Sequence, residues 1–192
     1  MLDMNSETDE EIISLILKDD KEYFGIIIDR YTDKLLRYIK RIINVEEEQR
    51  YDILQDVFIK TYTNLNNFDD SFKFSSWVYR ICHNEVISHY RKAKTKIDNG
   101  QVDIDDETLA YFASDIDIMS EIHGAEDKKM INDILDKMSF KYREILILKF
   151  LEQKDYGEMS DILQKPSGTI GTLVHRAKKE FIKIFNTENY EK

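Results

Sequence analysis

Residues 156–180, YGEMSDILQKPSGTIGTLVHRAKKE, decide how this chain is read. The stretch holds two amphipathic segments around a short interruption. In the first, Met159, Ile162 and Leu163 recur on one helical face, and Ser160 leaves room for a second helix to cross closely. Pro166 cannot continue a helix and Ser167 can cap a new one, so Gln164-Lys165-Pro166-Ser167 reads as the turn. The second segment buries Ile170, Val174, Ala177 and Phe181. Its early outward positions, Ser167, Gly168, Thr169, Gly171 and Thr172, are small, and His175, Arg176, Lys178 and Lys179 follow them. This pattern suits a helix-turn-helix whose second helix meets base edges through its first turns while nearby cations hold phosphates. Paired amphipathic helices are also a common packing unit, and His175 alone suits a surface or capping role.

Working outward, the same helical spacing returns along most of the 192 residues. A first helix is expected from an N-cap at Asp9, with Ile12, Ile13, Ile16 and Leu17 as its apolar stripe. A second covers Tyr23 to Ile43, where Phe24, Ile27, Ile28, Tyr31, Leu35, Ile39 and Ile42 recur every three or four positions. Its other face carries Arg30, Lys34, Arg37 and Arg41, most simply a solvated stripe. Further helices are expected over Glu48–Leu65, Ser75–Lys94, Lys128–Met138 and Tyr142–Leu151. One proline and six glycines are too few for a turn-dense β protein. The expected fold is all-α: two small helical domains joined by an acidic linker, the C-terminal one containing the helix-turn-helix.

Charge sets the boundaries. The net charge is −10, which argues naively against nucleic acid. Residues 98–127, however, hold no Lys or Arg against 10 Asp and Glu, while residues 128–192 hold 13 basic residues against 10 acidic ones. The acidity is concentrated in one tether, with a short helical piece expected near Leu109–Phe112, and each flank is free to present a basic face. The expected domains are therefore 1–97 and 128–192, around a linker at 98–127. A single cysteine, Cys82, excludes an internal disulfide and a multi-cysteine metal site. No metal and no cofactor is expected, and the spacing of Cys82, His83 and His89 fits no closed metal site. No charged-then-apolar leader opens the chain and no apolar run approaches the roughly 18–20 residues that span a bilayer, so a cytoplasmic protein without membrane insertion is expected.

Two N-terminal stretches carry the remaining signals. Residues 68–92, FDDSFKFSSWVYRICHNEVISHYRK, are aromatic-rich and then basic. Trp77, Val78, Ile81, Cys82 and Val86 suit the buried face of a helix, while Arg80, Asn84, Ile87 and Arg91 fall on another, with His83 at its edge. Phe68, Phe72 and Phe74 precede it. Rings beside cationic and amide groups suit unpaired bases, which stack and hydrogen-bond through exposed edges. Such rings equally suit a core, the preferred reading for Trp77. In residues 51–62, YDILQDVFIKTY, the carboxylates Asp52 and Asp56 flank Gln55 beside apolar Leu54 and Phe58. No nucleophile, metal motif or phosphate loop accompanies them, so a docking face for a basic partner is expected rather than a catalytic pair.

These three motifs in this order resemble the extracytoplasmic-function sigma factors of bacterial RNA polymerase, over roughly residues 10–95 and 128–185. DILQDVFIKTY resembles the family's polymerase-clamp-binding helix, FSSWVYRICHNEVISHYRK the segment that melts and reads the −10 element, and GTIGTLVHRAKK the −35-reading helix. The resemblance implies a non-catalytic promoter-recognition subunit whose partners are core polymerase (the β′ clamp helices and the β subunit) and promoter DNA. Many relatives are also held by an anti-sigma factor. It implies that Asp52, Leu54, Gln55, Asp56 and Phe58 bind core polymerase. Phe72, Phe74, Trp77, Arg80, His83, Asn84 and Arg91 would serve the −10 element, with the Asn66–Ser75 loop capturing a flipped base. Ser167, Thr169, Gly171, Thr172, His175, Arg176 and Lys179 would serve the −35 element. Gly171 and Leu173 stand where the family often has Lys and Arg. Gln164 occupies the usual turn glycine, where a left-handed backbone would cost roughly 1–2 kcal/mol.

Overall fold

In the computed structural model, residues 7–18, 21–97 and 125–190 are described, and every regular element among them is helical. The acidic segment 98–124 lies outside these residues, and with it the helical piece expected near Leu109–Phe112. Contacts divide the chain near Gly100 into two compact units.

The N-terminal unit holds α1 (Asp9–Leu17), α2 (Phe24–Ile42), α3 (Glu47–Thr63) and α4 (Phe74–Ile97). Helix α1 starts with a capping box: the Thr8 hydroxyl accepts from the Glu11 N–H, and the Glu11 carboxylate accepts from the Thr8 N–H. The cap is therefore Thr8, not the expected Asp9. Asp9 is drawn to α2, where its carboxylate accepts from Arg30 at 2.7 Å and from the Tyr31 hydroxyl. Arg30 also donates to the Glu7 carbonyl at 2.9 Å, so it is not part of the solvated stripe expected from its spacing. Burial, and then the bond to Asp9, push the Tyr31 hydroxyl well above the usual tyrosine range.

Helix α2 buries Phe24, Ile27, Tyr31, Leu35, Tyr38, Ile39 and Ile42, the stripe its spacing predicts with Tyr38 added. Full burial of such side chains stabilises by about 1.5–3 kcal/mol each. Two apolar residues depart from the expected stripes: Leu17 and Ile28 remain exposed. Helices α2, α3 and α4 pack on one another, and a Lys60–Glu85 ion pair joins α3 to α4. Helix α3 stops at Thr63, and Leu65 anchors a following 3-10 turn instead of extending the helix.

The second unit carries α5 (Ala125–Lys137), α6 (Phe140–Leu146), α7 (Tyr156–Leu163) and α8 (Ser167–Tyr190). Helix α5 begins three residues inside the segment expected as linker. The helix expected over Tyr142–Leu151 is α6 followed by a π turn, Ile147–Leu151, in which the Glu152 N–H reaches the Ile147 carbonyl. Helix α8 packs on both α5 and α6 and buries Ile170, Leu173, Val174, Ala177 and Phe181.

A second capping box, Asp155 with Glu158, opens α7, and the helix closes at Gln164 in the left-handed region (φ 53°, ψ 44°). The Ser160 hydroxyl donates to the Lys165 carbonyl at 2.6 Å, so this serine ties the turn as well as leaving space. The Pro166 carbonyl takes the first bond of α8, from the Ile170 N–H. Pro166 thus holds the cap position and Ser167 is the first helical residue, so the helix starts one place earlier than a Ser167 cap would give. A left-handed glutamine carries strain that glycine does not. Gln164→Gly is expected to stabilise the full chain by about 1 kcal/mol, read as a raised urea midpoint; an unchanged or lowered midpoint would contradict the strain.

Candidate nucleic-acid interface

The loop before α4 is built from successive hydrogen-bonded turns of the main chain. The Phe68 N–H bonds the Leu65 carbonyl and the Phe72 N–H bonds the Asp69 carbonyl at 3.1 Å each. The Asp69 carboxylate accepts the Ser71 N–H at 3.0 Å, and its hydrogen bonds with Ser71 hold its pKa below the usual carboxylate range. At the far end, Glu10 of α1 accepts the Phe74 N–H at 2.9 Å. Backbone bonds therefore hold the loop, with Leu65 and Phe68 turned toward the core and residues 69–73 exposed.

The three aromatics assigned to this region separate sharply. Phe72 is 48% exposed at the loop tip. Phe74 is 0% exposed, edge-on to Tyr31 at 5.7 Å and to Phe68 at 5.5 Å. Trp77 is 8% exposed and lies against Phe68 and Phe74 at 5.4 and 5.7 Å. The sequence assignment is corrected for Phe74 and Trp77: neither ring offers a face to a base, and both hold the loop from beneath. Further along α4, Phe74, Val78, Cys82 and Val86 are buried, whereas Asn84 and Arg91 are exposed and Arg80 and Ile87 half-buried. His83 sits at the edge, with Nδ1 at 3.4 Å from the Tyr38 hydroxyl. One helix thus carries a largely apolar buried face and a more polar exposed one.

On α3, Asp52, Gln55 and Asp56 are exposed. Leu54 and Phe58, 5% and 9% exposed, sit lower, in an open apolar groove between α2 and α3. Ile28, Tyr51, Ile59 and Tyr62 complete that groove and are all exposed. Reading the sequence missed these four, because each was assigned to a buried stripe or left out of it. Their signal is a helix with more apolar residues than one buried face can take.

In the second unit, Ser167, Thr169 and Lys179 are exposed on α8, and Gly171, Thr172, His175 and Arg176 are half-exposed. Lys178 lies over the Phe150 ring at 5.2 Å. A Cβ at position 171 would stand 3.9 Å from the Tyr156 ring, ordinary contact, so the glycine is not sterically required. Tyr156 and Lys149, whose ammonium lies 4.8 Å from the Tyr156 ring centroid, border the helix there and were not anticipated. Leu173 is buried, so the leucine enlarges the core face of α8. Among the described residues no group of three or more His, Cys, Asp or Glu side chains could hold a metal, and no helix is long and apolar enough to cross a membrane.

Comparison with known proteins identifies the family. The family model of sigma-70 region 2 matches residues 27–96, and that of sigma-70 region 4 matches residues 128–181. The ECF RNA polymerase sigma factor SigW of Bacillus subtilis is 31% identical over 172 residues, 87% of this chain and 91% of the relative. The chain belongs to the extracytoplasmic-function sigma factors. Its function is that of the family: a sigma factor directs promoter-specific transcription initiation by RNA polymerase. The RNA polymerase sigma-H factor of Pseudomonas aeruginosa is 25% identical over 183 residues, 92% of this chain and 93% of the relative. The fold matches CnrH in complex with the cytosolic domain of CnrY (TM-score 0.68, 16% identity, 94% of this chain and 99% of that one). It also matches the sigma factor RpoE of Bartonella quintana in complex with the anti-sigma factor NepR (TM-score 0.61, 19% identity, 85% and 96%). Region 2 of this sigma factor covers most of α2 to α4, with the loop and most of the apolar groove, and region 4 covers most of α5 to α8. Helix α1 precedes the region 2 match.

The division of the loop aromatics makes a stability prediction. Phe74→Ala is expected to destabilise the sigma factor by about 3–5 kcal/mol, whereas Phe72→Ala is expected to change its stability by less than about 0.5 kcal/mol. Denaturant titration of the two variants measures both; equal losses would contradict the separation.

Proposed function

We propose that the two units divide promoter recognition, and that the two-faced helix α4 is the observation that carries this reading. Its Phe74, Val78, Cys82 and Val86 face is fixed in the core, and its Arg80, Asn84, Ile87 and Arg91 face is left to DNA. Asn84 lies beside the single strand of the −10 element, Arg80 and Arg91 support its backbone, and His83 borders it. The Asn66–Ser75 loop captures a flipped base, with Phe72 as its exposed ring. Stacking of an unpaired base on an aromatic ring contributes about 1–3 kcal/mol, comparable with the few kcal/mol that unpairing costs. Capture of bases on a preformed surface can therefore drive melting without ATP, and the protein acts as a non-catalytic subunit in the cytoplasm.

Docking on core polymerase is assigned to α3. Asp52, Gln55 and Asp56 meet the basic side of the β′ clamp helices, while Leu54 and Phe58 contribute through the groove they line with Tyr51, Ile59 and Tyr62. On α8, Ser167, Thr169, Gly171, Thr172 and His175 face the −35 bases, and Arg176 and Lys179 hold phosphates, releasing counterions as they do so. The domain limits are residues 1–97 and 125–192, because α5 begins at Ala125. The linker between them, with no basic residue in 98–124, suits polymerase channels otherwise used by nucleic acid. The net charge of −10 disfavours tight DNA binding by the chain alone, which fits a factor that reads promoters only within the polymerase complex. An anti-sigma factor covering the α2/α3 groove would block polymerase docking; RpoE, which shares this fold, forms a complex with the anti-sigma factor NepR.

The test is run-off transcription from a promoter library with core polymerase and the purified chain. Promoter-selective transcripts are expected, and Asp52→Arg combined with Gln55→Ala should reduce them at least about tenfold by weakening the complex with core. Full activity of that double variant would refute the docking surface.

A further inference from the structure

We infer that α1, through Glu10, is a positioning element for promoter opening: it holds both feet of the loop to which base capture is assigned. This inference rests on that assignment. Three observations converge on α1. Its Glu10 carboxylate accepts the Phe74 N–H at 2.9 Å, across 64 residues of sequence, at the junction where the loop becomes α4. The helix also packs against the 3-10 turn Leu65–Asn67, where the same loop begins. Finally, α1 is itself locked to α2, because Asp9 accepts from both Arg30 and Tyr31, and the Tyr31 ring in turn lies edge-on to Phe74.

The physical consequence is preorganisation. The first N–H groups of a helix have no partner within it, and a carboxylate at that end is favoured by the aligned backbone dipoles. Glu10 supplies this from another helix, so the junction at Phe74 is set by tertiary structure. Phe72 lies two residues before the anchored N–H, and Asn84 lies on the helix that the junction starts. A loose junction would let the exposed ring of Phe72 sample positions away from an incoming base, and ordering it would then cost part of the capture energy. The role needs a hydrogen-bond acceptor of this length at position 10; a glutamine retains one and an alanine does not.

The measurement is permanganate reactivity of −10 thymines on duplex promoter, using the full chain assembled with core polymerase. Each protein is also tested on a promoter that lacks the captured base. Glu10→Ala is expected to lower opening of the intact promoter about tenfold. Its binding to core should remain within about twofold, because Glu10 lies outside the proposed docking face. Glu10→Gln should restore opening to within about threefold of the unchanged chain. On the promoter without the base, Glu10→Ala and the unchanged chain should open equally poorly, since there is nothing left to capture. Equal opening of the intact promoter by Glu10→Ala and the unchanged chain would overturn the inference. So would a loss that persists undiminished on the promoter without the base, or a Glu10→Gln variant as defective as Glu10→Ala. If the unchanged chain opens both promoters equally, base capture by the loop is itself wrong, an outcome distinct from failure of the α1 role. Should Glu10→Ala not fold, the same comparison with Glu10→Asp, whose shorter side chain weakens the bond to Phe74, decides between these outcomes.

Discussion

The N-terminal unit depends on how helix α4 is buried. Its Phe74, Val78, Cys82 and Val86 face is the floor on which α2 and α3 pack, and Phe74 and Trp77 extend that floor beneath the preceding loop. A helix seated this firmly cannot rotate without opening the core, so its opposite face is held in one orientation. Rigid seating is what a surface needs if it is to capture bases that have just lost their partners. Energy released on stacking is then not spent on ordering the protein.

The same economy recurs at smaller scale. Two capping boxes, at Thr8 and Asp155, begin α1 and α7 with locally satisfied backbone donors, whereas α4 takes its acceptor from Glu10 on a different helix. Local caps fix where a helix starts. A distant one also fixes where that start lies relative to the rest of the unit. Charge is partitioned in a comparable way: acidic groups are concentrated between residues 98 and 127, and the C-terminal unit keeps a basic excess for α8.

Much of this organisation was legible in the sequence. The spacing of Phe24, Ile27, Tyr31, Leu35, Ile39 and Ile42 specified the face of α2 that is buried, and the Pro166 turn marked the boundary of α7 and α8. The resemblance marked Gln164 as the place of the family's turn glycine, and its backbone is indeed left-handed. What spacing could not reveal was pairing between distant segments. Asp9 reads as a cap until Arg30 and Tyr31 draw its carboxylate away, and Arg30 reads as solvated until Asp9 meets it. Phe72 and Phe74 look equivalent in sequence, yet alternate between solvent and core because the loop enters α4 between them. The apolar groove escaped notice for a related reason. Tyr51, Ile59 and Tyr62 have the composition of core residues yet remain exposed along the groove between α2 and α3.

The central claim is that the polar face of α4 opens promoters while α3 separately attaches the chain to polymerase. The most direct measurement is promoter opening by polymerase carrying Asn84→Ala, followed by thymine reactivity across the −10 element, with affinity for core polymerase measured in parallel. The account predicts that core affinity is unchanged and that −10 opening and base preference are lost. Opening and preference that survive the substitution would contradict it.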